Sequence, residues 1–285
     1  MATLAPNEQE GWPVPAHTGR CGSIIPMRWY VPPLLAFAAC VALSIIAGMF
    51  ALNLEGWRPA FCEGGACFCE APRAAGWAQP SNTYSNLGYV LAGLLALGWS
   101  GSQPLRPNGA NLIRRQRAYG LVFGIAIVAI GLGSLFFHGT LTFAGQFTDL
   151  LGMYLLSNLL LVYNLARLFG LKGGAFAALY VGLTILFGRL MLIAPETRRY
   201  TFALGIASAL ILEVVLYVRQ RPKMEPAWLL SALAIFGLAY VVWTLDGTGA
   251  WCDPTGWLQG HAVWHILGAV SASLAFIYYW REKDR

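Results

Sequence analysis

Residues 131–141 read GLGSLFFHGTL and close a long apolar run with His138. Residues 260–265 read GHAVWH and place His261 and His265 at the start of the last apolar run. The chain has four histidines, so three of them lie in these two stretches. Each stretch adjoins an apolar run long enough to cross a bilayer, and the rest of the sequence is organised around this pair of boundaries.

The composition is that of a membrane protein. The 285 residues are 57% hydrophobic and 11% charged, with a mean hydropathy of +0.57, whereas soluble domains are about 25% charged. The apolar runs are continuous rather than alternating, which predicts an all-α membrane bundle and not a β-barrel. Eight runs are long enough, or nearly so, to be spans, near residues 30–52, 84–99, 119–138, 149–168, 175–194, 201–218, 228–245 and 261–280.

Lysine and arginine are divided unequally between the two sides of this eight-span arrangement. Fourteen of the 19 fall on the side of the two termini, four fall on the other side, and Arg189 lies within a span. Cytoplasmic loops carry the excess of positive charge, so we expect both termini in the cytoplasm. The net charge of +6 follows from this bias. No basic patch is interleaved with exposed aromatics, and we expect no nucleic-acid partner.

The nature of the first apolar run and the roles of two charged residues inside spans each allow more than one interpretation. Residues 30–52 follow Arg28 and exceed a typical signal-peptide core, which favours an uncleaved helix over a signal peptide. Charges at membrane depth are costly and usually face the bundle. Arg189 and Glu213 could therefore pair or line a substrate path, or they are a snorkelling arginine and a lone structural glutamate.

Four of the six cysteines fall in loops on the non-cytoplasmic side, where disulfides persist. A disulfide from the cluster at residues 62–69 to Cys252 would tie the first outer loop to the last. The rival interpretation is a zinc knuckle made by the three cysteines of that cluster, Cys62, Cys67 and Cys69.

The three histidines are predicted to meet at one depth near the outer face, although 123 positions separate His138 from His261. His261 and His265 are four residues apart, so they project from one helix face. This spacing offers two imidazoles to one metal, and three histidines plus water form a catalytic zinc arrangement. The alternatives are structural histidines, an interhelical hydrogen-bonding pair or a proton relay.

Further polar residues are expected on the same side. Ser134 lies one turn below His138, and Asp149 is expected to begin the fourth span. With zinc bound, Asp149 could carry the proton from water to the leaving group, and Ser134 could hydrogen-bond the oxyanion. A site at the bilayer rim implies a lipid substrate. Asn82, Ser85 and Asn86 could add polar contacts, and Ser81 or Asn82 could cap the second span.

At these residues the sequence resembles the alkaline ceramidase family, within the seven-helix membrane hydrolases that also include the adiponectin and progestin receptor type proteins. The similarity covers residues 67–280 and is carried by three motifs. These are Cys69-Glu70 followed by residues 82–86 (NTYSN), residues 131–141 with the later Asp149, and residues 260–265.

The resemblance implies a zinc-dependent amidase acting on ceramide or other N-acyl lipids, and thus a place in sphingolipid metabolism. It implies zinc on the three histidines, Ser134 and Asp149 as catalytic partners, and a disulfide between Cys69 and Cys252. The expected fold is a seven-helix hydrolase bundle plus one extra N-terminal transmembrane helix. Its expected parts are a cytoplasmic tail (1–29), the extra helix (30–54), an outer cysteine-rich loop (55–83), the seven-helix domain (84–280) and a cytoplasmic tail (281–285).

The chain departs from the family at the calcium site that ceramidases build beside the Cys-Glu motif. Glu70 is present, but Cys67, Pro72 and Gln79 stand at the corresponding ligand positions, which argues against calcium. Two other functions stay open. One is an ester lipid hydrolase or remodelling enzyme on the same scaffold, and the other is a non-enzymatic receptor or transporter. We expect a membrane lipid substrate and no obligate protein partner.

Overall fold

The computed structural model describes residues 28–50, 54–62 and 67–283. Most of the expected N-terminal tail, with His17 and Cys21, lies outside these residues. The described ranges form α-helices, one 3₁₀ turn at Pro195–Thr197 and two isolated β-bridges, which confirms the all-α prediction. The helices are α1 (Val31–Met49), α2 (Pro80–Ser85), α3 (Leu87–Ser102), α4 (Leu112–Arg115), α5 (Arg117–Thr140), α6 (Phe143–Phe169), α7 (Gly173–Ile193), α8 (Arg198–Gln220), α9 (Pro226–Gly247) and α10 (Gly260–Trp280).

Seven helical segments in the described ranges are long and apolar enough to cross a membrane, and α1 is the first of them. The expected second span differs, because a break at Asn86 divides it into α2 and α3. At 1.5 Å per residue, the 16 residues of α3 cover about 24 Å, less than the hydrocarbon core of about 30 Å. Together α2 and α3 have the length of a span.

The fourth span begins earlier than predicted. Helix α6 starts at Phe143, because the Thr142 side chain caps it by accepting a hydrogen bond from Gly145 N. Asp149 therefore lies in the second turn of α6 and not at its start. The predicted cap of the second span by Ser81 or Asn82 is also wrong, since α2 begins at Pro80 and both residues are inside it.

Small residues allow the central helices to touch. A Cβ atom on Gly93 of α3 would lie 2.8 Å from the carbonyl oxygen of Gly124 in α5. A Cβ atom on Gly152 of α6 would lie 2.7 Å from the Cα atom of Ile130 in α5. Without a hydrophobic driving force inside lipid, this close backbone approach is how membrane helices gain packing energy. Helix α5, which carries Ser134 and His138, is thus held between α3 and α6.

The added helix α1 contacts the loop that leads into the site. The indole Nε1 of Trp77 donates a hydrogen bond of 2.9 Å to Ser44 O in α1. A Cβ atom on Gly48 would lie 2.6 Å from that nitrogen, and one on Gly139 would overlap the opposite part of the ring. Trp77 is therefore wedged between α1 and the residue that follows His138.

Two disulfides lie in the loops that precede α2 and α10. Cys69 is bonded to Cys252, and Cys62 is bonded to Cys67. The first joins the loop before α2 to the loop before α10. Since all four sulfurs are in disulfides, the zinc-knuckle interpretation of the cysteine cluster is wrong.

The opposite end of the bundle holds a buried ion-pair cluster. Arg167 of α6 lies 2.6 Å from Glu213 of α8 and 3.5 Å from Glu282. Tyr278 donates a hydrogen bond of 2.7 Å to the other oxygen of Glu213. Glu213 is thus paired with Arg167, and Arg189 is exposed. Of the alternatives left open for these two charges, a pair between them is not found, and Glu213 is not a lone glutamate.

Candidate metal centre

The three histidines meet at one end of the bundle. His138 comes from the last turn of α5, and His261 and His265 come from the first two turns of α10. One ligand nitrogen of each lies within 4.8 Å of the others. All three side chains are buried, with 0%, 5% and 3% of their surface exposed. The described residues thus contain a histidine cluster that could hold one metal ion.

The ring of His138 is oriented by Gln79, which the sequence did not mark as a site residue. The amide nitrogen of Gln79 donates to Glu70 O at 2.7 Å, so its oxygen faces His138 Nδ1 at 2.9 Å. That oxygen can only accept, so Nδ1 carries the proton and Nε2 keeps its lone pair. Nε2 is buried and has no hydrogen-bond partner.

His265 is oriented in the same way by Ser85. The Ser85 hydroxyl donates to Asn82 O at 2.9 Å, so it accepts from His265 Nδ1 at 2.8 Å. The lone pair of His265 is then on Nε2, which lies 3.4 Å from the hydroxyl of Ser134. In His261 the buried Nδ1 has no hydrogen-bond partner.

This arrangement fits a metal ion. A buried polar atom without a partner costs about 1–3 kcal/mol, and two such nitrogens, on His138 and His261, belong to this histidine cluster. Metal-bound histidines usually donate their other ring N–H to a neighbouring acceptor, as His138 and His265 do. Imidazole nitrogen is a donor that suits zinc, copper, iron and nickel. A cation held by this cluster would be a ligand partner for buried histidine nitrogens that have no hydrogen-bond partner in the protein.

Ser134 and Asp149 lie beside the cluster. Ser134 is buried, and its hydroxyl interacts with the carboxyl group of Asp149. The two helices touch here, since a Cβ atom on Gly133 would lie 2.5 Å from Thr148 O and 2.9 Å from Asp149 N. A glycine at position 133 therefore allows the serine of α5 and the aspartate of α6 to meet.

The three amide and hydroxyl residues of the second span have different positions. Ser85 reaches a histidine ring, as described above. Asn82 and Asn86 are fully buried, and the Asn86 amide donates to Asn82 O at 2.8 Å. The side-chain oxygens of both asparagines have no hydrogen-bond partner. Ser85 is the member of this trio whose side chain hydrogen-bonds a histidine ring.

Two acidic residues hold the N-termini of α2 and α10 beside the histidine cluster. Glu70 caps the N-terminus of α2, although it lies in the preceding loop. Its two carboxylate oxygens accept from Ser81 N at 2.9 Å and from Asn82 N at 2.8 Å. Asp246 accepts from His261 N at 3.1 Å and from Cys69 N at 3.2 Å. Negative charge is favourable at these helix N-termini. The position of Glu70 beside Cys69 was a sequence signal for this loop, whereas Asp246 gave none.

Phe68 covers the centre on the loop side. Its ring centroid lies 4.6 Å from that of His138 and 3.9 Å from that of His261. The neighbouring Cys69–Cys252 disulfide fixes this loop over the start of α10. The cover limits water at the cluster, which strengthens electrostatic interactions within it.

The fold and the site together define an all-α membrane protein with a candidate three-histidine metal centre. A family model described as Ceramidase matches residues 68–281. The match covers most of the chain, and the chain belongs to the ceramidase family, as its motifs predicted. Membership implies an amide hydrolase acting on ceramide. A sequence search of the curated proteins finds no match. Helix α1 and residues 54–62 precede the matched region.

Proposed function

We propose that this protein is an integral membrane, zinc-dependent hydrolase that cleaves the amide bond of ceramide-like or other N-acyl lipids. One observation carries the proposal: three buried histidines form a cluster in which one nitrogen of each lies within 4.8 Å of the others, and His138 Nε2 and His261 Nδ1 have no hydrogen-bond partner. His138, His261 and His265 would hold the ion. Bound zinc supplies a Lewis acid that lowers the pKa of water from about 15.7 to about 7.

Asp149 and Ser134 have the proposed catalytic roles. Asp149 takes the proton of the attacking water and delivers it to the leaving amine, a role that contributes about 10²–10⁴-fold to a rate. Ser134 donates a hydrogen bond to the oxyanion that develops on the amide carbonyl. Their mutual contact supports these roles, because it holds the proton carrier beside the hydrogen-bond donor. Asn82, Ser85 and Asn86 give polar support on the same side.

We infer that the centre lies near the non-cytoplasmic face and that both termini are cytoplasmic. The two disulfides are at the histidine end, which fits an oxidising compartment. The basic residues that begin α5 and follow α10, including Arg117 and Arg281, are at the other end. The seven-helix domain (84–280), the extra helix and the outer loop keep their expected boundaries in this proposal.

The test combines metal analysis with a substrate panel. Purified protein in detergent should hold about one zinc per chain, and His138→Ala and His261→Ala should hold almost none. Tyr278→Phe, at the far end of the bundle, is the control and should keep both zinc and turnover.

The panel should pair each N-acyl lipid with the ester of the same chain length. Release of fatty acid from the amides supports the proposal. Release from esters alone would replace it with the ester lipid hydrolase. A folded protein without zinc and without turnover would contradict it and return the receptor or transporter to consideration.

A further inference from the structure

Residues 54–62, here named the outer strap, pair with the turn that joins α5 to α6. Ala60 N donates to Leu141 O at 2.9 Å, and Phe143 N donates to Arg58 O at 2.8 Å. The Gln146 side chain makes two hydrogen bonds of 2.9 Å with the backbone of Phe61. The strap precedes the part of the chain that matches the ceramidase family. These hydrogen bonds fix it beside the helices that carry Ser134 and Asp149.

A groove opens between the strap, the first turns of α6 and the end of α7. Its volume is about 550 Å³, within the range of roughly 300–1,000 Å³ found for small-molecule sites. The walls are mainly apolar and aromatic. The lining residues are Gly56, Trp57, Arg58, Phe143, Ala144, Phe147, Thr148 and Leu192.

Arg58 is the one charged residue among those that line the groove. Its guanidinium lies 4.0 Å above the centre of the Phe143 ring. Stacking on an aromatic face leaves the N–H groups at the edge of the guanidinium free to donate. These donors match the two oxygens of a carboxylate, which arginine can bind in a bidentate manner.

The groove lies against the turn of α6 that carries Asp149, the proposed proton carrier. Thr148 lines the groove, and the next residue, Asp149, interacts with Ser134. The backbone of Thr148 also touches Gly133, the neighbour of Ser134. One turn of α6 therefore separates the groove from the metal centre.

We propose that this groove binds a long-chain carboxylate, the class of product that the proposed hydrolysis releases. The alkyl chain lies along Phe143 and Phe147, and the carboxylate pairs with Arg58. Charge selects this occupant, because an N-acyl lipid of the ceramide type is neutral and its amine product is cationic. The fatty-acid anion is the one partner in the reaction that complements Arg58. The link to a product rests on the proposed function, whereas the binding itself does not.

Trp57 in the groove wall permits a direct binding measurement. Dibromostearate quenches nearby tryptophan fluorescence, and the difference between the wild type and Trp57→Phe isolates the signal from this position. We expect saturable quenching at Trp57 by the bromo acid and little by the brominated alcohol or amine of the same length. Losing a charge-assisted hydrogen bond should weaken the binding of the acid to Arg58→Gln about ten- to hundredfold.

Two further arms separate the possible outcomes. Asp149→Asn should bind the bromo acid as the wild type does, because Asp149 has a proposed catalytic role but does not line the groove. Equal binding of acid and alcohol, or unchanged binding in Arg58→Gln, overturns the assignment. Competition by an anionic phospholipid as strong as that by stearate overturns it in favour of a general head-group site.

Failure of this proposal and failure of the proposed function give different results. Turnover of N-acyl lipids without Arg58-dependent quenching overturns the groove and leaves the hydrolase intact. Arg58-dependent quenching in a protein that hydrolyses no lipid supports the carboxylate site and removes its link to a product.

Discussion

The two ends of the bundle differ in how they bury the ionisable side chains of Glu213 and the histidines. At the end with the ion pairs, Arg167 and Tyr279 reach one oxygen of Glu213 and Tyr278 reaches the other. The last two carbonyl groups of α10 are also satisfied there, because the Asn111 amide donates to Tyr279 O and Trp280 O, and it donates to Glu282 O after the helix as well. At the histidine end, two ring nitrogens are equally buried and have no partner.

The presence or absence of partners for buried ionisable groups distinguishes a structural cluster from a binding site. A buried charge that is paired and hydrogen-bonded by its neighbours holds helices together and requires no bound ligand. Buried imidazole nitrogens without a hydrogen-bond partner, as in His138 and His261, are costly unless a ligand binds there. The far end is therefore interpreted as a closure of the bundle and the histidine end as a binding site. Four variants test this contrast, two at each end.

Replacing Asp149 by asparagine should have the largest effect. The variant keeps the shape of the side chain but cannot take a proton, so turnover should fall about 10²–10⁴-fold. Zinc content should stay at about one per chain, because Asp149 is not among the three proposed ligands. Steady-state hydrolysis and elemental analysis of one sample measure both quantities. A loss of less than about tenfold would exclude Asp149 as the main proton carrier.

Glu213→Ala should show that the far end is structural. It leaves Arg167 buried without its closest partner, and removing one member of a buried pair costs about 3–5 kcal/mol of stability. Lys172→Ala, at an exposed position just before α7, is the control and should change stability by less than about 0.5 kcal/mol. Unfolding can be followed by the helical circular dichroism signal in detergent. If Glu213→Ala instead lost zinc while staying folded, the two ends would not be independent.

Gln79→Leu should weaken the metal centre without removing a ligand. The change leaves the Nδ1 proton of His138 without an acceptor, and losing such an orienting partner typically costs about 10–100-fold in metal affinity. Gln79→Glu keeps an acceptor and should restore most of the affinity. Competition for zinc with a soluble chelator measures the difference. Equal affinity in the wild type and Gln79→Leu would show that His138 does not depend on this hydrogen bond.

The sequence predicted the features that depend on local spacing. Span positions followed from the apolar runs, and the meeting of three distant histidines followed from the alternation of helix direction. The interval between His261 and His265 fixed a common helix face. These predictions required no knowledge of side-chain partners, and for this reason they could be made from the sequence alone.

The rest depended on contacts between distant residues. Arg167 lies at the end of the fourth predicted run, where nothing in the sequence names its partner, and α6 carries it into the bundle to meet Glu213. Gln79 precedes a proline in a loop, and only the pairing of Gln79 N with His138 O at 3.0 Å brings its side chain to the ring. The strap at residues 54–62 gave no periodic signal, because its backbone pairs with a turn some 80 positions later.

The smallest effect should be a pH-dependent one at the far end. Glu225 accepts hydrogen bonds from Arg281, Lys283 and Trp228, which lower its pKa from 4.5 to about 2. The folded state thus favours the ionised carboxylate, and its contribution to stability is complete above about pH 4.5 and is lost as the pH falls towards 2. Glu225→Gln should melt slightly below the wild type at pH 7, and the gap should narrow at pH 3. Because these groups are partly exposed, salt should also narrow it. A gap that grew on acidification would show that the carboxylate does not stabilise this end in its ionised form.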